Sequence, residues 1–242
     1  MKTHFTALLA VASLVGSAHA VGVSGQGDWE TTLQPRELDG NAVNGPEAFY
    51  DTALDITWLR NANVNGMMNW ASANTWANTL AVASIAGPIG DWRLPTMVDT
   101  AAPGCDLSLA GGTDCGYNVQ TATSEMAHLW YVALGNKAYC DPALTTVSTC
   151  SVQPGWGLTN TGNFQDVQAY MYWSGLGYAP NPIVAWYFYP YDGGQSTSVK
   201  ADVFFALAVR TGDVAAVPEP QTYALMLMGL SALLLALRRR AG

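Results

Sequence analysis

Hydrophobic and polar residues follow three patterns along the chain, namely continuous apolar runs, helical spacing and strand alternation. Residues 5–15 and residues 223–237 form two uncharged apolar runs, one near each end. Between these runs, apolar residues recur at the spacings that are typical of amphipathic helices and half-buried strands. We therefore expect the middle of the chain to form a folded domain, whereas the two apolar runs need a separate explanation.

Two segments predict helices. Residues 69–81 carry apolar residues at helical spacing behind Asn69, which is a suitable N-cap. Residues 123–134 do the same, with Thr123 as the expected N-cap and Glu125 in the first turn, where the helix dipole favours an acid. The expected buried face of this second helix consists of Met126, Leu129, Trp130, Ala133 and Leu134.

Several segments are rich in β-branched and aromatic residues and predict strands, namely residues 56–59, 169–174, 184–191 and 203–210. In residues 184–191 the side chains alternate, so that one face carries Tyr187, Tyr189 and Tyr191 and the other face is apolar. Residues 192–202 predict a turn followed by a polar loop. The order of a strand, two helices and then antiparallel strands predicts an α+β fold rather than a parallel βαβ sheet.

The N-terminal apolar run fits a secretory signal peptide over residues 1–20. Lys2 supplies the positive charge in front of the run, and Ala18 and Ala20 form an A-x-A cleavage site behind it. The mature chain is therefore expected to begin near Val21. The expected organisation after it is a lead-in segment over residues 21–48, which is either irregular or an edge strand, a globular domain over 49–214 and a tail over 215–242.

The tail contains three parts in order. They are Pro218, Glu219 and Pro220, then the apolar run 223–237, then the arginines at 238–240. The run has 15 residues, which is at or below the lower limit for a transmembrane helix. The arginines favour the cytoplasmic side, so the domain is expected outside the inner membrane. This tail resembles the PEP-CTERM sorting signal of Gram-negative exopolysaccharide producers, which implies transient membrane anchoring, cleavage by an exosortase and release to the cell surface or matrix.

The charge of the expected mature domain limits its partners. Residues 21–217 hold six basic residues and 17 acidic ones, although only 12% of the whole chain is charged and 11% is aromatic. So acidic a surface repels phosphate and sulfate polymers, and binding to nucleic acid is not expected. The aromatic content is too high for a disordered chain.

The cysteines predict disulfides. Cys105, Cys115, Cys140 and Cys150 are separated by 10, 25 and 10 residues. Four cysteines permit three pairings, and the repeated spacing of 10 favours Cys105–Cys115 and Cys140–Cys150. Export to an oxidising compartment favours disulfides over a zinc site, for which the C-x-x-C knuckles are missing.

The body of the chain resembles the Lcl C-terminal domain family, which is named for a collagen-like bacterial adhesin. The resemblance rests on residues 55–60 (DITWLR), 68–71 (MNWA), 91–96 (DWRLPT), 124–129 (SEMAHL), 172–175 (YWSG) and 208–210 (AVR). It implies a lectin-like domain, related to the C-type-lectin and formylglycine-generating-enzyme folds. Binding of sulfated glycans does not carry over, because it needs basic residues, and the six in this domain are outnumbered by 17 acidic ones.

Catalytic chemistry has little support in the sequence, and no catalytic residue or cofactor is predicted. His128 is the only histidine of the expected mature chain, and its position inside a helix favours a structural role. A glycosidase needs only two carboxylates, for which the candidates are Asp91, Asp99, Glu125 and Asp166. Calcium would suit the many acids, and residues 39–41 (DGN) resemble part of a calcium loop, but the later ligands are out of register and an ordinary polar turn is favoured.

Tyr187, Tyr189 and Tyr191 are the candidate ligand-binding residues, because they share one strand face opposite the expected core. The sequence predicts a non-enzymatic surface or matrix protein that adheres to neutral or weakly charged polysaccharide of the cell envelope. The alternatives are a secreted carbohydrate-active enzyme that uses paired carboxylates, and a purely structural surface module.

Overall fold

The computed structural model describes residues 27–99, 114–117, 119–141, 144, 149–214 and 228–231. Its strands are β1 (Leu33–Arg36), β2 (Ala48–Asp51), β3 (Ile56–Leu59), β4 (Met68–Asn69), β5 (Tyr172–Gly177), β6 (Val184–Tyr189), β7 (Gly194–Val199), β8 (Val203–Phe204) and β9 (Val209–Thr211). Its helices are α1 (Trp29–Thr32), α2 (Trp70–Thr79) and α3 (Glu125–Ala127), and α3 continues as a π-helix over His128–Ala133. Helices and antiparallel sheets together make an α+β fold, as the sequence predicts.

Several predicted features lie outside the described residues. They are the signal peptide 1–20 with Ala18 and Ala20, the sorting motif Pro218, Glu219 and Pro220, the arginines at 238–240, and Cys105. Of the expected membrane span 223–237, the structure describes residues 228–231, which are helical. Within the described part of the chain, no helix has the length and apolar character needed to cross a membrane.

The first sheet has four antiparallel strands in the order β1-β2-β3-β9. β3 covers the predicted residues, and all four of its side chains are buried. β1 shows that the lead-in segment takes the edge-strand alternative, since it pairs with β2 over four residues. Leu38, which follows β1, is fully buried, so this part of the lead-in segment packs with the domain.

The second sheet is an antiparallel meander in the order β5-β6-β7. β5 begins three residues later than predicted, and β7 occupies a segment for which the sequence predicts a polar loop. The polar side chains of β7 give no strand pattern in the sequence. The segment is nevertheless a strand, because its backbone pairs with β6 and an edge strand needs no apolar alternation. Every residue of β7 pairs with β6, from Gly194 with Tyr189 to Val199 with Val184.

The predicted strand over 203–210 divides into two. β8 pairs with β4, whereas β9 joins the first sheet. The residues between them remain apolar, and Ala206, Leu207 and Ala208 are buried. A continuous apolar run therefore passes from one sheet to another instead of forming one long strand.

The helix α2 confirms its predicted N-cap. The Asn69 side-chain oxygen accepts a hydrogen bond from the Ser72 amide at 2.9 Å. Ala73 and Ala77 form the buried face, and they pack in one cluster with Trp173 and Phe204. Small side chains on this face allow the helix to lie close to the sheet.

The second predicted helix is shorter than predicted, and most of it is wider than an α-helix. Ser124, not Thr123, is the N-cap, and its hydroxyl accepts a hydrogen bond from the Ala127 amide. After Ala127 the helix widens to π geometry, and the Leu134 amide donates to the Leu129 carbonyl at 2.9 Å. All the predicted core residues are buried, namely Met126, Leu129, Trp130, Ala133 and Leu134.

Arg93 ties this helix to the first sheet. Its guanidinium donates to both carboxylate oxygens of Glu125, at 2.8 and 2.7 Å, and its backbone forms a bridge with Val209 of β9. Arg93 therefore pairs with an acid. The Arg210 guanidinium instead donates to the backbone carbonyls of Gly90 and Asp213.

Candidate functional site

A groove of about 320 Å³ opens beside the second sheet. Its walls come from β6, β7, the turn between them and a short segment after Cys115. The lining residues are Gly116, Tyr117, Tyr187, Tyr189, Asp192, Gly194, Gln195 and Ser196. We call this cavity the tyrosine groove, because three of its residues are tyrosines.

The alternation of β6 explains why two tyrosines line the groove. Trp186 and Phe188 are buried on one side of the strand, so Tyr187 and Tyr189 project from the other. Tyr187 also packs edge-on against Phe204, with ring centroids 5.3 Å apart. The strand therefore places these two tyrosines as the sequence predicts.

Tyr191 lies beyond the end of β6 and does not line the groove. It is 48% exposed, and its ring lies 5.5 Å from that of Tyr189 at an angle of 30°. Its other neighbour is Trp156, at 5.3 Å. Tyr191 therefore contacts a groove residue, Tyr189, without lining the groove itself.

Further aromatic side chains contact these tyrosines and one another. Tyr170 contacts Tyr189 with centroids 6.1 Å apart, Trp156 contacts Tyr139 at 4.8 Å, and Tyr139 contacts Tyr117 at 6.1 Å. We call this set the aromatic row; its members are Tyr170, Tyr189, Tyr191, Trp156, Tyr139 and Tyr117. Four of the six were not predicted as binding residues. Tyr117, Tyr139 and Trp156 lie in irregular segments where no periodic pattern shows which side chains meet, and Tyr170 precedes β5, although the sequence places it within a predicted strand.

The Tyr117 wall is held in place by Gln195. The backbones of Gly116 and Gln195 exchange two hydrogen bonds, at 2.9 and 3.0 Å. The buried Gln195 side chain donates to the Asp114 carbonyl at 2.6 Å and accepts from the Ser124 hydroxyl at 2.7 Å. One side chain thus connects the segment that carries Tyr117 with the N-cap of α3.

Disulfides hold the irregular segments beside the groove. The structure contains the Cys140–Cys150 disulfide, one of the two pairings that the spacing favours, and Cys140 follows Tyr139 of the aromatic row. Cys115 is buried and disulfide-bonded, and it precedes the Gly116–Tyr117 wall. Its expected partner, Cys105, lies outside the described residues.

Asp192 is the acid of the tyrosine groove. Its Oδ1 accepts from the Gly194 amide at 2.8 Å, and its Oδ2 accepts from the Tyr117 hydroxyl at 3.3 Å. Burial raises the pKa of Asp192 above the ordinary aspartate value. Burial, together with the Asp192 charge, also raises the pKa of Tyr117 to about 12, so that this phenol remains a neutral hydrogen-bond donor at physiological pH.

The carboxylates that the sequence offers as catalytic candidates do not line the groove. Glu125 is engaged by Arg93, Asp99 accepts from the Trp186 indole at 3.1 Å, and Asp166 accepts from the Asn61 amide at 2.9 Å. Asp91 also lies away from the groove lining. His128 lies in the π-helix and is likewise not part of the groove.

A separate group of acids lies in the loop between β1 and β2. Ligand oxygens of Glu37, Asp39 and Glu47 lie within 4.8 Å of one another, and Asp39 belongs to the segment that resembles part of a calcium loop. These carboxylates accept hydrogen bonds from backbone amides, among them Glu47 from Leu38 at 2.6 Å and Asp39 from Asn41 at 2.7 Å. This bonding orders the loop. The ordinary polar turn, which the sequence favours here over a calcium site, stays a prediction.

The Cys140–Cys150 disulfide and the disulfide-bonded Cys115 indicate a class of protein that folds outside the reducing cytoplasm. Residues 216–240 match the PEP-CTERM protein-sorting motif, which covers the predicted Pro-Glu-Pro, apolar run and arginines. The chain is therefore an exported surface protein that is targeted to an exosortase. No curated protein and no solved structure matches the chain, so the lectin-like resemblance of its body is not confirmed.

Proposed function

We propose that this protein is a non-enzymatic component of the cell surface or matrix, and that its tyrosine groove binds neutral or weakly charged polysaccharide of the cell's own envelope. The observation that carries the proposal is the meeting of three tyrosines in one groove beside a partly exposed aromatic row. Sugar rings present flat C–H faces and hydroxyl edges. The apolar ring of a tyrosine can pack on such a face, and its hydroxyl can hydrogen-bond with such an edge.

The surroundings of the groove favour an uncharged chain as ligand. Tyr187 and Tyr189 are partly buried, so their rings are already ordered before a ligand arrives. The aromatic row adds Tyr191 and Trp156 beside the groove, and their rings offer further contact surface for neighbouring sugar rings. The net negative charge of the domain opposes a polyanionic ligand.

Binding of the full chain to glycan arrays and to exopolysaccharide purified from the producing cells tests the proposal. Tyr189→Ala should weaken binding about tenfold, which corresponds to about 1.4 kcal/mol for a lost aromatic contact. Tyr50→Ala is the matched control, because Tyr50 lies on β2 of the other sheet. If the wild-type chain binds no polysaccharide, or if both variants bind equally well, the proposal is wrong.

A carbohydrate-active enzyme is the second candidate, and the acids between β1 and β2 are the observation that favours it. Glu47 lines a cavity of about 360 Å³, and Glu37 lies beside it with a pKa that is raised by burial, by hydrogen bonding to Asp39 and by the negative charge of Glu47. Turnover of envelope polysaccharide that disappears in Glu47→Gln would establish this function. A structural module, the third possibility, predicts neither turnover nor binding.

A further inference from the structure

The tyrosine groove contains a carboxylate with unused hydrogen-bonding capacity. An ionised carboxylate offers about four acceptor positions. Asp192 accepts one short bond from the Gly194 amide and one from the Tyr117 hydroxyl at 3.3 Å, which is long for a bond between two oxygens. Within the described residues, neither Lys nor Arg forms an ion pair with it.

The backbone holds Asp192 firmly at this place. Its carbonyl accepts from the Tyr139 amide at 2.9 Å, and its amide donates to the Tyr189 carbonyl at 3.2 Å. The next residue, Gly193, packs directly on Trp130 and Tyr131, and the Tyr131 hydroxyl donates to the Gly193 carbonyl at 2.8 Å. The carboxylate is therefore preorganised against the rings of the groove.

Keeping such a group charged carries a cost. Burial raises the pKa of Asp192, which means that the fold disfavours its ionised form relative to water. A partly buried acid without a cationic partner, located in a cavity, is a candidate for a functional role. A ligand that donates hydrogen bonds to the carboxylate would compensate for the lost water.

We propose that Asp192 is the specificity-determining residue of the groove: its carboxylate accepts hydrogen bonds from hydroxyls of an uncharged sugar that lies against Tyr189, and it rejects uronate and sulfated sugars. This inference rests on the proposed function. Hydrogen bonds from hydroxyls to a carboxylate are stronger than those between neutral groups. An acidic sugar would place a like charge beside Asp192 in a partly buried site. The same residue therefore selects for uncharged sugars and against acidic ones.

Asp192→Asn tests the inference, because asparagine keeps the shape and an acceptor for the Gly194 amide but removes the charge. The probes are dextran, laminarin, galactomannan and xylan as neutral polymers, and polygalacturonate as the acidic one. We expect the variant to bind the preferred neutral polymer about tenfold or more weakly, and to gain affinity for polygalacturonate relative to wild type. Asp91→Asn is the control, since it changes the net charge equally outside the groove.

A pH titration of the wild-type chain gives a second measurement that needs no variant. Binding should fall as the pH drops through the Asp192 titration, and the fall should be absent in Asp192→Asn. The other titratable groups of the groove are Tyr117, Tyr187 and Tyr189, whose pKa values are raised from an already high value and which stay neutral over this range.

The outcomes separate the two proposals. If Tyr189→Ala loses binding while Asp192→Asn binds every probe as wild type does, the role of Asp192 is wrong and the proposed function stands. If wild type prefers polygalacturonate to all neutral polymers, the selection by charge is likewise refuted. If wild type binds none of the probes and no purified exopolysaccharide, the proposed function fails and the inference fails with it.

Discussion

Replacing Gly193 by alanine tests how the groove is positioned. Gly193 has a φ of +83°, in the left-handed region that favours glycine. A Cβ atom at this position would lie 2.6 Å from the Trp130 ring and 2.6 Å from the Tyr131 hydroxyl oxygen. Since Asp192 and Gly194 both line the groove, any shift that relieves this overlap also moves the binding residues.

The expected loss of stability has two parts. A non-glycine residue in the left-handed conformation costs about 1–2 kcal/mol, and the overlap with a packed ring costs about a further 1–3 kcal/mol. Gly193→Ala should therefore lower the free energy of unfolding by roughly 2–5 kcal/mol. Gly155→Ala is the matched control, because Gly155 has a φ of +74° and a Cβ atom there would meet no heavy atom within 4 Å.

Urea unfolding of the full chain, followed by tryptophan fluorescence, measures both variants. Gly155→Ala should lose only the conformational part, about 1–2 kcal/mol. The difference between the two variants reports the contact with Trp130 and Tyr131. If Gly193→Ala is no less stable than Gly155→Ala, the close packing of the β6–β7 turn on the π-helix is refuted.

Three further predictions concern the ion pair, the disulfide and the groove acid. Glu125→Gln should lower the free energy of unfolding by about 2 kcal/mol, because it leaves the Arg93 guanidinium, which is partly buried, without its carboxylate. Replacing both Cys140 and Cys150 by alanine should cost about 2–3 kcal/mol, since it opens a short closed loop. Asp192→Asn should be as stable as wild type or more stable at pH 7. The raised pKa means that the folded state binds more protons than the unfolded state, so wild-type stability falls as the pH rises through this titration.

Urea unfolding also checks these three predictions. For the ion pair, a double-mutant cycle with Arg93→Gln should show coupling between the two side chains, and additive losses would contradict the paired contact. For the disulfide, an unchanged midpoint in the double variant would contradict the expected constraint. For Asp192, the stability difference should shrink toward acid pH, and a difference that grows there would show that the sign of the pKa shift is wrong.

Local sequence patterns were sufficient for features that depend on near neighbours. The strand Ile56–Leu59, the Asn69 cap and the buried face of the second helix follow from side-chain spacing and from hydrogen bonds within a few residues. The alternation along β6 likewise placed Tyr187 and Tyr189 opposite the core. The sorting tail was recognisable because its parts lie next to one another in the chain.

Local patterns failed where distant segments supply the missing partner. The polar residues of β7 form a strand because β6 provides its hydrogen bonds. The sequence predicts Thr123 as the N-cap of the second helix, but Ser124 is the N-cap in the structure. The Ser124 hydroxyl also donates a hydrogen bond to the Gln195 side chain of β7. The local pattern of either segment does not identify the distant residue that it contacts.

The sequence by itself determined the targeting motif of this protein, its acidic charge, the α+β class and the strand face that carries the tyrosines. Only the tertiary structure decided that Tyr117 and Asp192 join this face in one groove, and that Tyr191 lies outside it. The physical reason is the range of the interactions. Periodicity records which side of an element is buried, whereas a groove depends on turns and disulfides that bring together residues far apart in the chain.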